Sequence, residues 1–132
     1  MQNCATGWDS DGLWMSRNLS DVTIIDTEPV DEHGCLVHAE DATAQLCLAL
    51  ARLGSELGDR GQSPSAITRI RVFALDGEDA IEFVEVVAEW LDGAAAEIAC
   101  LHVERLPVDG MLAAISADVT APGIIHPTLT NP

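Results

Sequence analysis

The sequence predicts one α+β domain, in which two helices cover one face of a single mixed β-sheet. Three observations lead to this class. Two stretches carry apolar residues at helical spacing, several shorter stretches carry the β-branched residues or the alternation of strands, and turn residues separate them. The resulting order is strand, hairpin, helix, strand, helix, strand, strand. At 132 residues the chain is long enough to bury a substantial core and short enough for one domain.

The first part of the chain predicts an arm followed by strands. Residues 1–12 are polar and contain glycine, so we expect a flexible N-terminal arm before a domain that covers residues 13–119. A first strand is expected to begin at Leu13. Residues 21–27 are rich in β-branched side chains, and residues 35–38 form a short candidate partner strand. Because proline, aspartate and glycine lie between the two, the pattern predicts a β-hairpin.

The first helix is predicted over residues 41–57. Asp41 or Thr43 can cap its free amide groups. Its buried stripe is formed by Leu46, Leu50, Leu53 and Leu57. The following residues, 55–66, are rich in glycine, serine and proline and predict a surface loop or an insertion.

The second helix is predicted to start at residues 76–79, where acidic groups favour the positive end of its dipole. Its expected core stripe is Ile81, Val84, Ala88 and Leu91. A flanking apolar face is formed by Phe83, Val87 and Trp90. Two apolar faces indicate either a wide core or a subunit interface.

The remaining strands contain most of the candidate functional side chains. Residues 67–75 alternate, with Arg69 and Arg71 on one face, where they either pair with carboxylates or bind an anion. In the strand from residue 97 to residue 103, Cys100 and His102 share one face. A turn and a strand of small residues follow, over residues 111–119. Residues 120–132 contain three prolines and are expected to run as an extended tail.

Charge limits the partners. The chain has 22 acidic and 6 basic residues, so its formal net charge is −16, and every basic residue is an arginine. Such a chain repels phosphate backbones and anionic membrane surfaces, so we expect neither a nucleic acid nor a membrane as a partner. The four cysteines and four histidines are scattered, which predicts reduced thiols and no metal or other cofactor. Without a signal sequence or a long apolar segment, we expect a cytoplasmic protein.

Several segments resemble the Rid family, also called the YjgF family or the reactive-intermediate deaminases. Residues 100–107, CLHVERLP, followed by the small-residue strand, resemble its C-terminal signature. Further resemblances, in the family's order, are Pro29-Val30-Asp31 with Gly34, Ala44-Gln45, Arg71-Val72-Phe73 with Asp76, and residues 86–91. The resemblance covers residues 12–119. It implies a chorismate-mutase-like fold, and a homotrimer whose open sheet faces enclose a barrel-like centre, with pockets between subunits that take a small reactive imine or enamine.

The chain departs from the family where the reaction takes place. Ile98 aligns with the arginine that holds a substrate carboxylate, and Ser116 aligns with the glutamate that positions a water molecule. Residues 25–27 align with the family's S-G-Q loop, and Cys100 is retained. Isoleucine cannot make the bidentate contact of an arginine, so the resemblance implies a divergent member without the standard deaminase activity.

The candidate site follows from this alignment. The candidate catalytic residues are Cys100, Ser116 and His102, and the candidate substrate-binding residues are Trp14, Arg17, Asp26, Thr27 and Ile98. Cys100 is either a nucleophile whose pKa is lowered by His102 or an unreactive residue that lines the pocket. Trp14 is either a pocket wall or a cover over the core edge, and Asp26 either faces the pocket or is an exposed strand-end residue.

Two functions are therefore expected. The first is an enzyme that acts on a small reactive imine, enamine or carbonyl metabolite in a specialised biosynthetic pathway. The second is a non-catalytic trimer that binds a small ligand or a partner protein. Loss of both the arginine and the glutamate favours the second, whereas the retained Cys100 favours the first.

Overall fold

Four strands and two helices make up the part of the chain that the computed structural model describes, residues 22–120. In chain order they are β1 (Val22–Thr27), α1 (Ala42–Asp59), a short 3-10 helix (Pro64–Ala66), β2 (Ile67–Leu75), α2 (Ala80–Leu91), β3 (Glu97–Val103) and β4 (Ala113–Thr120). The sheet order is β1-β4-β2-β3. Because β2 is parallel to β3 and antiparallel to β4, the sheet is mixed, as predicted.

Both helices pack on the same face of this sheet. The leucine stripe predicted for α1 is buried, and it meets alternate residues of the strands in a single apolar core. Strand residues of this core include Ile70, Val72 and Ala74 of β2 and Ile115, Ala117 and Val119 of β4. Residues Ile24–Val119 form one compact unit. The other side of the sheet, here called the open face, has no helix against it within the described residues.

Helix α1 begins and ends through local backbone chemistry. The Asp41 carboxylate accepts a hydrogen bond from the Ala44 amide at 3.0 Å, which satisfies one of the free amide groups of the first turn. The helix continues to Asp59, so the first residues of the predicted loop 55–66 are helical. A 3-10 helix that starts at Pro64 then leads into β2.

Helix α2 begins at a second aspartate cap but turns a different face to the sheet than predicted. The Asp79 carboxylate accepts from the amides of Ile81 and Glu82 at 3.0 and 3.1 Å. The buried residues are Phe83, Val87 and Leu91, whereas Ile81 is 73% exposed. The predicted core stripe was therefore wrong except at Leu91. The face with the phenylalanine buries more apolar area than the face with Ala88, so packing favours it.

The predicted hairpin is also wrong. Residues 35–38 form no strand, and only an isolated bridge joins Val30 to Leu36. The Asp31 carboxylate accepts hydrogen bonds from the amides of His33 and Cys35, which closes the chain into a local turn. Strand β1 has β4 as its sheet neighbour instead.

Gln45 ties three separate segments together. This fully buried side chain donates from Nε2 to the carbonyl oxygens of His38 and Gly110, both at 3.2 Å, and accepts from the Leu112 amide at 2.6 Å. Gly110 has φ +90, and a Cβ there would lie 3.0 Å from a Leu36 methyl group. The start of α1 is thereby joined to the turn before β4.

Candidate functional site

A polar cluster lies at the centre of the open face. Arg71 of β2 is aligned with Ser116 of β4. Its Nη2 lies 2.7 Å from an Asp118 carboxylate oxygen, and its Nη1 donates to the Ser116 hydroxyl at 3.4 Å. Next to it, Arg69 forms an ion pair with Glu97 of β3 at 2.6 Å. The two arginines that share a strand face therefore pair with carboxylates, the first of the two roles considered for them.

Cys100 lies on the opposite face from Ser116. In the register of the sheet Cys100 is aligned with Val72, whereas Ser116 is aligned with Arg71, the preceding residue. Since side chains alternate along a strand, the two point to different sides of the sheet. Cys100 is half-buried and packs against the core under the helices. These two predicted catalytic residues are thus not brought together within one subunit.

His102 shares the face of Cys100, as predicted, but it is engaged elsewhere. Its Nε2 lies 3.0 Å from the backbone carbonyl oxygen of Glu78, in the turn before α2. Burial raises the pKa of the Cys100 thiol above its ordinary value of 9.0. The thiol is therefore protonated at neutral pH, and the shift is opposite to the one that activates a nucleophile.

Ile98 also packs against the core beside the helices. Within residues 97–103, which form β3, no basic side chain other than His102 is present. The position that aligns with the family's carboxylate-binding arginine therefore offers only apolar contact. Trp14 and Arg17 lie outside the described residues.

Asp26 and Thr27 line a cavity between the end of β1 and helix α1. Its volume is about 280 Å³. Its lining residues are Asp26, Thr27, Glu28, Val30, Arg52, Ser55 and Glu56. The buried Thr27 hydroxyl donates to the Ala49 carbonyl oxygen of α1 at 2.8 Å, which fixes the strand end against the helix. Asp26 points the other way along the strand alternation and is exposed.

Arg52 is a residue of this cavity that the sequence reasoning missed. It is the only basic residue in the predicted helix 41–57, and this was the available signal. The pKa of the nearby Asp31 carboxyl is held below its ordinary value, first by the amides of Cys35 and His33 and, to a smaller extent, by the Arg52 charge. Arg52 is therefore the one basic side chain in a cavity lining that otherwise carries carboxylates.

Residues 22–120 contain neither a cluster of metal ligands nor a helix that could span a membrane. In that part of the chain no three side chains of His, Cys, Asp or Glu are grouped closely enough to hold a metal ion. Neither described helix has the length and apolarity that crossing a membrane requires.

Comparison with known proteins identifies the fold. The model of a family described as Endoribonuclease L-PSP matches residues 24–121. No curated protein matches the chain. A solved Yersinia pestis protein of the conserved Rid protein family is similar, with 23% identity over 75% of this chain and 77% of that chain, at a TM-score of 0.66.

Two further solved structures are similar at the same level. A Mycobacterium tuberculosis member of the highly conserved YjgF/YER057c/UK114 family has 24% identity over 76% of this chain and 80% of its own, at a TM-score of 0.63. The TdcF protein of E. coli, solved with bound serine, has 24% identity over 77% of this chain and 82% of its own, at a TM-score of 0.63. At these identities the likeness shows the fold.

Proposed function

Since the chain belongs to the Endoribonuclease L-PSP family, the family of the YjgF and Rid proteins, we propose that it is a homotrimer that binds a small metabolite between subunits without the standard deamination of 2-imino acids. The observation that carries this proposal is the position of Ile98. Its partly buried side chain packs against the core at the position that aligns with the carboxylate-binding arginine, so a 2-imino acid lacks its anchor. Cys100 beside it keeps a protonated thiol.

The open face supports a trimer. Ile24 is 61% exposed and Leu101 is 44% exposed, and both lie on the side of the sheet that no described helix covers. Apolar side chains on an uncovered sheet face favour association, because burial removes their surface from water. The partly buried pair Arg71–Asp118 and the Arg69–Glu97 pair neutralise charge that would otherwise oppose such packing. A small ligand is in keeping with the serine bound to the E. coli relative.

RNA is a poor match for this chain despite the family's description. Of the five arginines among residues 22–120, three lie within 4 Å of a carboxylate oxygen: Arg60, Arg69 and Arg71. Phosphate binding relies on clustered basic side chains, and a net charge of −16 opposes it at any distance. We therefore do not assign ribonuclease activity.

A second candidate is catalysis on a reactive imine, enamine or carbonyl metabolite in a biosynthetic pathway. One observation favours it: the Ser116 hydroxyl lies 3.4 Å from the Arg71 guanidinium, which places a polar hydroxyl and a cation together on the open face. Such a pair can bind an oxygen that gains negative charge during a reaction. In this candidate Ser116 acts at the site and Cys100 does not.

The test is turnover of 2-aminoacrylate, generated in place by an auxiliary enzyme, with keto-acid and ammonia release followed against the buffer rate. We expect a trimer by light scattering and no release above the buffer rate. The Ile98→Arg variant, matched by Ile24→Arg on the other face, asks whether the missing arginine alone explains the loss. Rapid release of keto acid and ammonia by the natural sequence contradicts the proposal. If Ser116→Ala abolishes that release and Cys100→Ala does not, the second candidate is selected.

A further inference from the structure

We propose that Asp92 and Gly93, in the connection between α2 and β3, are a modification site at which the chain isomerises to isoaspartate through a succinimide ring. This inference goes beyond the proposed function, because it requires neither a trimer nor a ligand. The observation that carries it is the backbone conformation of Asp92, which differs from that of the other described aspartates that precede a glycine.

Aspartate is followed by glycine at three places in the described part of the chain: Asp76-Gly77, Asp92-Gly93 and Asp109-Gly110. Asparagine, the other residue that forms this ring, is absent from residues 22–120. A following glycine favours ring closure, because it has no Cβ to hinder the approach of its amide nitrogen to the aspartate side chain. The residues of all three pairs are exposed, so exposure does not distinguish them.

The turn that contains Asp92 has its own geometry. The Ala94 amide donates to the Leu91 carbonyl oxygen at 3.0 Å and closes a four-residue turn. Its two central residues both have positive φ, 49° at Asp92 and 89° at Gly93. Positive φ at both central positions defines a type I′ turn, for which Asp-Gly is a preferred sequence.

Asp76 and Asp109 lie in turns of another kind. The same hydrogen bond closes each turn, also at 3.0 Å, but only the glycine has positive φ. Both turns are also held to a neighbouring segment. The Asp76 amide donates to the Val103 carbonyl oxygen at 2.9 Å. The Gly110 carbonyl oxygen accepts from the buried Gln45 side chain.

Positive φ at the aspartate brings the backbone close to the geometry of the ring. A succinimide joins Cγ of Asp92 to the Gly93 nitrogen, which sets ψ of the aspartate to the value found at the first central residue of a type II′ turn. That residue also has positive φ, so Asp92 reaches the ring by rotation of one peptide plane while its turn stays closed. In the other two pairs the aspartate must also change the sign of φ, which is costly for a residue with a Cβ.

The reaction consumes and returns only water. The Gly93 amide nitrogen attacks Cγ of the Asp92 carboxyl group, the new N–C bond forms, and the nitrogen proton and a carboxyl hydroxyl leave as water. Water then opens the ring. Attack at Cγ restores aspartate, whereas attack at the main-chain carbonyl carbon breaks its bond to nitrogen and leaves a free α-carboxylate. The chain then runs through Cβ, so the connection between α2 and β3 becomes one methylene longer.

The test is incubation of the folded, full-length protein at neutral pH in heavy-oxygen water, because each ring opening adds one heavy oxygen atom to the aspartate. Cleavage after glutamate separates the three pairs, since Asp92 then lies in the peptide 90–97 and Asp76 and Asp109 lie in two other peptides. We expect uptake at Asp92 to be about tenfold faster or more than at the other two. Enzymatic methylation of isoaspartyl carboxyl groups should label the same peptide.

Two controls separate turn geometry from sequence. In the chain unfolded by guanidinium chloride the turns are lost, and we expect the three pairs to take up heavy oxygen at rates within about threefold of one another. Asp92→Glu, which would have to close a six-membered ring, should remove uptake from residues 90–97. Asp76→Glu should leave that uptake unchanged.

Equal uptake at the three pairs of the folded protein overturns the proposal, as does faster uptake at Asp76 or Asp109, or no uptake at Asp92. The readout is the mass of a peptide, so it is independent of whether 2-aminoacrylate is turned over and of the number of subunits.

Discussion

At the scale of single residues, the side of the sheet decides what a side chain can do. Cys100 lies on β3 and Ser116 on β4, the two strands that flank β2. Cys100 nevertheless faces the apolar core, whereas Ser116 faces the Arg71 guanidinium. The core raises the cost of a thiolate, and the guanidinium lowers the cost of negative charge on oxygen. The same sheet therefore carries a half-buried thiol on one face and a hydroxyl beside a guanidinium on the other.

We expect Cys100 to be alkylated by iodoacetamide at pH 8 more slowly than the exposed Cys35 and Cys47, because its raised pKa keeps it protonated and its site is half-buried. Peptide mass mapping over time measures the three rates. Because the pKa of Cys100 is raised in the folded state, the protonated thiol favours folding. This contribution to the free energy of unfolding is complete below pH 9 and is lost as the pH rises through the pKa of the folded state. Faster labelling of Cys100 than of the exposed thiols would contradict this.

The shared face of Cys100 and His102 was predictable from alternation within one strand. The separation of Cys100 from Ser116 was not. It depends on how β3 and β4 align with β2, and that register comes from packing and backbone pairing across the sheet rather than from any local pattern. Arg52 was missed for a similar reason, because only the tertiary contact with β1 turns an ordinary helix residue into a cavity wall.

At the scale of elements, α2 shows how two apolar faces compete for one sheet. Both faces satisfy helical periodicity, so periodicity alone leaves the choice open. The chain buries the face that carries Phe83 and leaves Ile81 in solvent. By contrast, α1 and β2 were predicted well, because each has only one apolar pattern that its geometry can bury. The bounds of β3 were also predicted, but the strand packs its Ile98 and Cys100 face against the core and leaves Leu101, on the other face, 44% exposed.

We expect Phe83→Ala to lower the free energy of unfolding by about 3 to 5 kcal/mol, because it opens a cavity in the core. Ile81→Ala is the matched control in the same helix, and its effect should stay within about 0.5 kcal/mol, because that side chain is 73% exposed. Urea unfolding followed by circular dichroism measures both. Equal losses in the two variants would show that α2 presents the other face to the sheet.

At the scale of the whole molecule, charge is the main obstacle to assembly. Three copies would carry 3 × −16 = −48. Salt screens repulsion between exposed carboxylates, but it acts weakly on groups buried in an interface. The Arg71–Asp118 pair within each subunit therefore matters for the proposed trimer, because it neutralises two charges on the face that assembly would bury.

We expect Arg71→Gln to raise the dissociation constant of the trimer by roughly a hundredfold or more, since it leaves Asp118 unpaired on a face that becomes buried. Sedimentation over a dilution series at low and at moderate salt measures the change. Arg60→Gln removes the same charge from an exposed pair at 3.9 Å and should leave the trimer intact. An intact trimer in Arg71→Gln would move the interface away from the open face.

The position of β4 has a consequence for how the chain is made. This last strand of the described chain is inserted between β1 and β2, which were synthesised long before it. Until β4 emerges, both older strands expose an unsatisfied edge, and the incomplete chain can pair with other chains through either one. Insertion of β4, rather than formation of the helices, is then the step that removes these two exposed edges.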